Sequence, residues 1–499
     1  MVGRAGRSKA CANCRRSKKG CDLVRPGCGQ CSAKKLKCEG YNDELTVFSY
    51  NPNTPSRYKN LQATAIKIKY SDVFWERFLP SGSKASNWTQ LLRDKYDTDD
   101  GPFKNAVLAV TLSRVGLQDD NQNIARSGDM HYYACLRQVK KAIEKDSEAT
   151  KDHIIATCFL LGLYEYMCNP HSTYGWQNHV RGVETLLQLR GPHAFRSGFS
   201  HKLFAGVRLE IICLSMVNRK ATYLGTSEWL RIPWSEKSTP KSYSNRILDL
   251  LAQIPQLLES LDGLHNNDPL NRHSWDTLLE ACWKLDDAAQ KWSVDFYPIC
   301  APVFSNSPHT FDPSVPDLAV PLTAVSRINH SNAQALALYW SVCLYSHAII
   351  RIAWKETGNA PSLLPKRIDA SKYAHVISES ILFFSSSTAG EGTVIFFMKC
   401  VITALHYLGA SGLVHSEAYQ RMKVLIHPPG PPTQIRTRSG MWARSLLITM
   451  SHAAKGYKIT GFKELQSRME YDLGISRMVA MYWWGGGSKA LNFADYSTT

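Results

Sequence analysis

Six cysteines fall near the amino end of this chain, at Cys11, Cys14, Cys21, Cys28, Cys31 and Cys38. They spell C-x2-C-x6-C twice, with Cys28, Cys31 and Cys38 repeating Cys11, Cys14 and Cys21 at an offset of seventeen residues. Closely paired thiolates are what zinc recruits in structural sites, because each ion takes four soft donors in a tetrahedron. Two such ions need eight ligand positions. Six sulfurs fill eight positions only when two of them bridge both metals, and the repeat implies that the bridges are matching members of the two halves.

Two other cysteine chemistries fit less well. A disulfide framework belongs to an oxidising compartment, and Met1 to Ala10 is basic without the apolar run of a secretory signal. A single zinc finger leaves two sulfurs idle and normally supplies a histidine, yet none precedes His131. Metal is also needed for folding. Between Cys11 and Cys38, Leu23, Val24 and Leu36 are the only large aliphatic residues, too few to bury a core. A structural zinc site contributes about 10–16 kcal/mol, enough to offset the entropy of ordering so short a chain.

The charge of the segment points to its partner. Residues 1–40 hold eleven Lys or Arg against two acids, Asp22 and Glu39, an excess of nine out of a net +17 for the chain. Six thiolates and two dications change this only to about +7, which suits a polyanion. The run Arg15, Arg16, Ser17, Lys18, Lys19, Gly20 has no helix breaker before its last position and reads as a short helix held at both ends by metal ligands. Ser32 to Lys37, with Lys34, Lys35 and Lys37, reads the same way in the second half. A basic helix in the major groove offers lysine to guanine edges while its neighbours hold phosphates.

The stretch CANCRRSKKGCDLVRPGCGQCSAKKLKC resembles the zinc binuclear cluster of fungal transcription regulators, including Asp22 after the third cysteine and Pro26 between the halves. The resemblance implies two zinc ions clamped by all six cysteines, with Cys11 and Cys28 as the bridges. It also implies that Lys18, four residues after the second cysteine, reads a CGG-type triplet in double-stranded DNA. Arg15, Arg16, Lys19, Lys34, Lys35 and Lys37 are then phosphate contacts or solvated charges. Many relatives carry a basic residue just before the third cysteine, where this chain has Gly20.

The rest of the 499 residues, 44% hydrophobic and 10% aromatic for the whole chain, is expected to form a second domain. The expected division is 1–40 for the cluster, 41–62 for a linker and 63–499 for an all-α regulatory domain. Pro52 and Pro55 break any heptad in the linker, so the chain binds as a monomer or pairs through its helical domain. Apolar residues recur at helical spacing through Phe103 to Leu112, Leu136 to Ile143 and Ile154 to Tyr164. YYACLRQVKKAI, DHIIATCFLLGLYEYM and HVRGVETLLQLRGPHAF are similar to the helical regulatory domain of the same fungal family, a likeness that reads from about Tyr70 to Trp484.

Within that domain Val183, Leu186, Leu187 and Leu189 are expected on one buried helix face. Ala301 to Pro321 and the proline-rich 427–440 are expected as exposed loops. Ala333 to Ile350 runs eighteen residues without a charge, and reads as a buried central helix rather than a membrane span, with His347 a satisfied core histidine. The eight scattered cysteines fit a reducing compartment. The acidic groups at Asp97 to Asp100 and Asp119 to Asn123 read as caps and loop acids. No H-E-x-x-H, G-x-S-x-G or phosphate-cradling glycine loop occurs, so an enzyme is not expected.

The sequence thus predicts a small zinc binuclear cluster module followed by a large all-α domain. Its expected function is that of a nuclear, sequence-specific transcription factor, pathway-specific for secondary metabolism or nutrient use. Its helical body is expected to take a small-molecule effector, a protein partner or a second copy, and no membrane. The competing reading is a zinc-dependent interaction protein whose basic module holds RNA or a protein.

Overall fold

A computed structural model of the chain describes residues 10–17, 20–22, 24, 27–38, 69–80, 101–145, 150–169, 175–236, 241–266, 272–304, 318–323, 326–386 and 388–426. The chain divides into two compact units, 1–64 and 65–499. Every regular element among the described residues is helical.

The first unit contains two single-turn helices, α1 (Ala12–Arg16) and α2 (Gly29–Ala33). Both start earlier than the sequence suggests. Each begins right after a cysteine whose sulfur accepts the backbone N–H three residues on, Cys14 N–H to Cys11 Sγ at 3.4 Å and Cys31 N–H to Cys28 Sγ at 3.3 Å. These sulfurs occupy the N-cap position that a Ser or Asp side chain normally fills. α2 ends where Lys35 takes a left-handed backbone, φ +52°. Lys34, Lys35 and Lys37 therefore lie beyond the helix and not on it. The core of this unit is built of Ala10, Cys11, Cys14, Cys28 and Cys31 with Cys21 and Cys38 packed against them. Val24 and Leu36 stay 55% and 54% exposed, so among the described residues of this unit aliphatic burial contributes almost nothing.

In the second unit α3 (Pro102–Gln118) and α4 (Gln122–Ile143) pack as an antiparallel pair. The tight turn between them uses the acids noted in the sequence. Asp119 ends α3, Asp120 turns left-handed at φ +57°, and the Asn121 side chain accepts the Ile124 N–H at 3.3 Å to start α4. The helical stretch 69–78 is pinned there by Arg77, which bonds Gln118 at 2.8 Å and Asp119 at 3.0 Å. A methyl on Gly128 would meet the Ser113 backbone nitrogen at 2.4 Å, so only glycine lets α3 and α4 cross this closely. Asp97 to Asp100 lie outside the described residues.

α5 (Asp152–Cys168), α6 (Gly175–Arg190) and α7 (Gly198–Asn218) continue the bundle. α6 buries Val183, Leu186 and Leu187, but Leu189 is 69% exposed. At about 100° per residue, position 189 falls far around the helix from 183 and 187, which corrects the expected four-residue face. α8 (Tyr243–Leu251), α9 (Ile254–Asn266) and α10 (Arg272–Phe304) lead into α11 (His330–Glu356), against which α8, α10, α12 (Ala370–Glu379) and α13 (Gly390–Ala410) all pack. α14 (Glu417–Ile426) closes on α12 and α13.

α11 and α13 are long and apolar enough to cross a membrane, yet 94% and 78% of their most apolar windows are buried within the protein. Both are therefore core helices. His347 on α11 is fully satisfied: its Nδ1 accepts the Asp369 N–H at 3.2 Å, and Nε2 therefore donates to the buried Asp286 at 2.9 Å. Arg367 pairs with the other Asp286 oxygen. Despite burial, the hydrogen bonds from His347 and Arg367 and the charge of Arg367 hold the Asp286 carboxyl below its ordinary range.

The segment expected as the exposed loop 301–321 departs from that reading at both ends. α10 runs to Phe304, and Leu318 and Leu322 are fully buried, with the Leu318 carbonyl accepting from Trp340 at 2.8 Å. Two large apolar residues close to the loop's far end suffice to anchor it. The stretch 427–440 lies outside the described residues.

One buried ion pair joins distant parts of this unit. Arg114 on α3 donates through Nε and Nη2 to the two oxygens of Glu391 on α13, at 3.0 and 3.2 Å, with both side chains under 5% exposed. Arg114→Ala leaves the buried Glu391 carboxylate without its counter-charge and with the neutral Gln118 amide still donating to it, and is expected to destabilise the helical unit by about 3–5 kcal/mol, read as a lowered midpoint in urea unfolding of the full chain. An unchanged midpoint would mean that the pair is not formed.

Candidate metal centre and nucleic-acid interface

The zinc fit rests on sulfur geometry. Cys11, Cys14, Cys21 and Cys28 form one group of four donors, and Cys11, Cys28, Cys31 and Cys38 form another, each with all sulfurs within 4.8 Å of one another. The two groups share Cys11 and Cys28, which are matching members of the two halves. Sulfur to sulfur, Cys11 lies 3.6 Å from Cys28 and 3.8 Å from Cys31, and Cys14 lies 3.7 Å from Cys28. A tetrahedron with zinc–sulfur bonds of about 2.3 Å sets its sulfurs about 3.8 Å apart, whereas a disulfide sets them at about 2.05 Å. The donors therefore fit two zinc ions, and all six cysteines are free of disulfides.

Electrostatics gives the same answer. Burial, together with the Cys11 sulfur, pushes the Cys14 thiol up to about 12. At Cys28 the Cys31 N–H favours the thiolate, but burial and the surrounding sulfurs outweigh it and the thiol is pushed up. Cys31 is raised by burial as well. Cys14, Cys28 and Cys31 thus hold their protons until dications replace them, so assembly of the centre releases protons and is favoured as pH rises. When bound, the metal supplies only structure, fixing the ends of both helices.

Three residues support the cage from outside it. Asp22 accepts the Gly29 N–H through Oδ2 at 2.8 Å and the Val24 N–H through Oδ1 at 3.3 Å, which folds the connecting loop back onto the start of α2. A methyl on Gly29 would sit 2.5 Å from that Asp22 oxygen. Asn13 on α1 crosses to the other half, donating from Nδ2 to the Lys37 carbonyl at 2.9 Å and toward Cys31 Sγ at 3.7 Å. The sequence reading registered Asp22 only as part of the motif and missed Asn13, because an amide between two cysteines has no signature until the second half is folded against it.

Between the helices lies an open groove of about 390 Å³, lined by Arg16, Ser17, Gln30, Lys34 and Lys37 among others. Arg16, Lys34, Lys35 and Lys37 are all exposed, and with Arg16, Lys34 and Lys37 at its rim the groove presents cations and hydrogen-bond donors to solvent. Arg15 belongs to α1, but its side chain, like Lys18 and Lys19, is outside the described residues. The structure thus brings the six cysteines together, and it sets the basic residues of the second half beside α1.

Comparison with known proteins agrees with this arrangement. The family model described as the fungal Zn(2)-Cys(6) binuclear cluster domain matches residues 9–46, and the one described as the fungal specific transcription factor domain matches residues 69–299. Among similar proteins, an uncharacterized protein of Emericella nidulans is 27% identical over 39% of this chain and 40% of its own length. The phomenoic acid biosynthesis cluster-specific transcriptional regulator of Leptosphaeria maculans is 23% identical over 37% of this chain and 42% of its own. The transcription factor dbaG of Emericella nidulans is 29% identical over 18% of this chain and 21% of its own. The matched stretches thus cover less than half of each relative. No solved structure matches the chain.

Supports outside a metal's ligands typically change its affinity by about 10–100-fold. Asn13→Ala and Gly29→Ala are each expected to weaken zinc binding by that factor in competition with a chromophoric chelator. Wild-type affinity in both variants would show that neither contact holds the cage.

Proposed function

Since the chain belongs to the fungal zinc binuclear cluster transcription factors, DNA-binding regulators of transcription that hold two zinc ions, we propose that it recognises CGG-type triplets in the major groove. The single observation that carries this reading is the pair of sulfur tetrads sharing Cys11 and Cys28. All six cysteines act as ligands, with those two as bridges. A cage anchored at both ends of so short a segment holds α1 rigid, and the residues that follow α1 carry the bases that meet DNA.

Lys18 hydrogen-bonds the guanine edges. Arg15, Arg16, Lys19, Lys34, Lys35 and Lys37 hold phosphates, consistent with the cationic rim of the groove. These contacts position the module without reading sequence. The basic amino end directs the chain to the nucleus. The helical unit forms the regulatory domain, through which the chain pairs with a second copy or responds to an effector. The likeness to a regulator named for phomenoic acid biosynthesis supports a pathway-specific role in secondary metabolism.

Lys18→Ala is expected to lose about 1–3 kcal/mol of discrimination for guanine while keeping salt-sensitive binding to bulk DNA. Binding-site enrichment from random duplexes reads this directly. If the variant still enriches the triplet chosen by the wild type, Lys18 is not the reader. If the wild type retains RNA and random DNA equally, the module is not sequence-specific.

A further inference from the structure

α4 turns two different faces outward and inward. Ile124, Gly128, Tyr132, Cys135 and Val139 are buried against the bundle. On the opposite side the exposed positions 126, 130, 133, 137, 140 and 141 fall within an arc of about 100°, given 100° of turn per residue. At the centre of this arc Met130 is 72% exposed and Tyr133 60% exposed, one helical turn apart. Arg126 flanks them on one side and Arg137, Lys140 and Lys141 on the other. Among the described residues none of these four cations makes an ion pair, although Glu144 follows on the same arc.

A face with an apolar centre and cations at both ends constrains its occupant. A second copy pairing through this helix about a two-fold axis would stack Met130 on Tyr133 and thereby set Arg126 opposite Arg137, because both pairs share the same midpoint. Like charges brought together in this way oppose association. A nucleic-acid backbone would engage the cations, but would cover the Met and Tyr side chains with phosphate and gain nothing from them. An acidic amphipathic segment satisfies both parts of the face, with apolar anchors between Met130 and Tyr133 and carboxylates over Arg126 and Arg137.

We propose that the outer face of α4 is a docking surface for an acidic amphipathic segment of a partner protein. Arg126 and Arg137 stand about 16 Å apart along the axis at 1.5 Å per residue, so the matching segment spans about three helical turns. This surface is separate from the zinc unit in the chain, and its use does not depend on which DNA sequence that unit reads.

The probe is a fluorescein-labelled peptide of about sixteen residues, long enough for the required turns, with Leu and Phe one turn apart at its centre and glutamates toward both ends. Its anisotropy is followed on titration with the full chain. The wild type is expected to bind it, and Met130→Ser/Tyr133→Ser and Arg126→Glu/Arg137→Glu are each expected to weaken binding by about tenfold or more. A peptide with lysines for glutamates should prefer the Arg126→Glu/Arg137→Glu chain to the wild type. All four side chains are exposed, so unchanged thermal unfolding will show that both variants fold. No binding to the wild type at about 100 μM, or equal binding to all three chains, overturns the proposal. So does a wild-type dimer that Met130→Ser/Tyr133→Ser abolishes, which assigns the face to a second copy. Random duplex binding that Arg126→Glu/Arg137→Glu abolishes would overturn it in favour of nucleic acid.

Discussion

Two sulfur atoms, those of Cys11 and Cys28, belong to both tetrads of donors, and the rest of the amino-terminal unit depends on them. The same sulfurs cap α1 and α2 by accepting backbone N–H groups. A helix N-terminus favours negative charge. Both sulfurs common to the two tetrads thus sit where a backbone N–H at a helix start favours thiolate character. The same capping explains why the helices begin where they do.

The helical unit solves a different problem. It has aromatic and aliphatic residues enough to build a continuous core from Tyr70 to Met422 without metal. Its charged side chains inside that core are paired across long sequence distances, Arg114 with Glu391 and Asp286 with His347 and Arg367. The Arg114–Glu391 pair ties the region matched by the transcription factor domain model to helices well beyond residue 299. The unit thus extends past the matched region as one packed body.

Much of this was legible in the sequence, for reasons that differ between the units. Metal ligands close together in sequence must be close in space, so the spacing of six cysteines carried the cage with it. The uncharged run Ala333 to Ile350 sits at the short edge of what spans a bilayer and so reads as a buried helix. It is the burial of α11 inside the unit that bears this out, since the whole helix is long enough to span. Helix register was less legible. The absence of a breaker between Arg15 and Gly20 suggested a helix there, whereas the cap supplied by the Cys11 sulfur starts it at Ala12. Leu189 looked apolar enough for the core, but its angular position sends it outward. Asn13 and Arg114 gain their roles only from partners on distant segments, and no local pattern announces such pairs.

The account stands on two ions sharing six sulfurs. Native mass spectrometry of the full chain, with Cys11→Ser and Cys28→Ser measured beside it, tests this most directly. Two zinc ions per wild-type chain, with both ions lost when either shared cysteine is replaced, is the predicted result. One ion or none in the wild type, or two ions retained by Cys11→Ser, would contradict it.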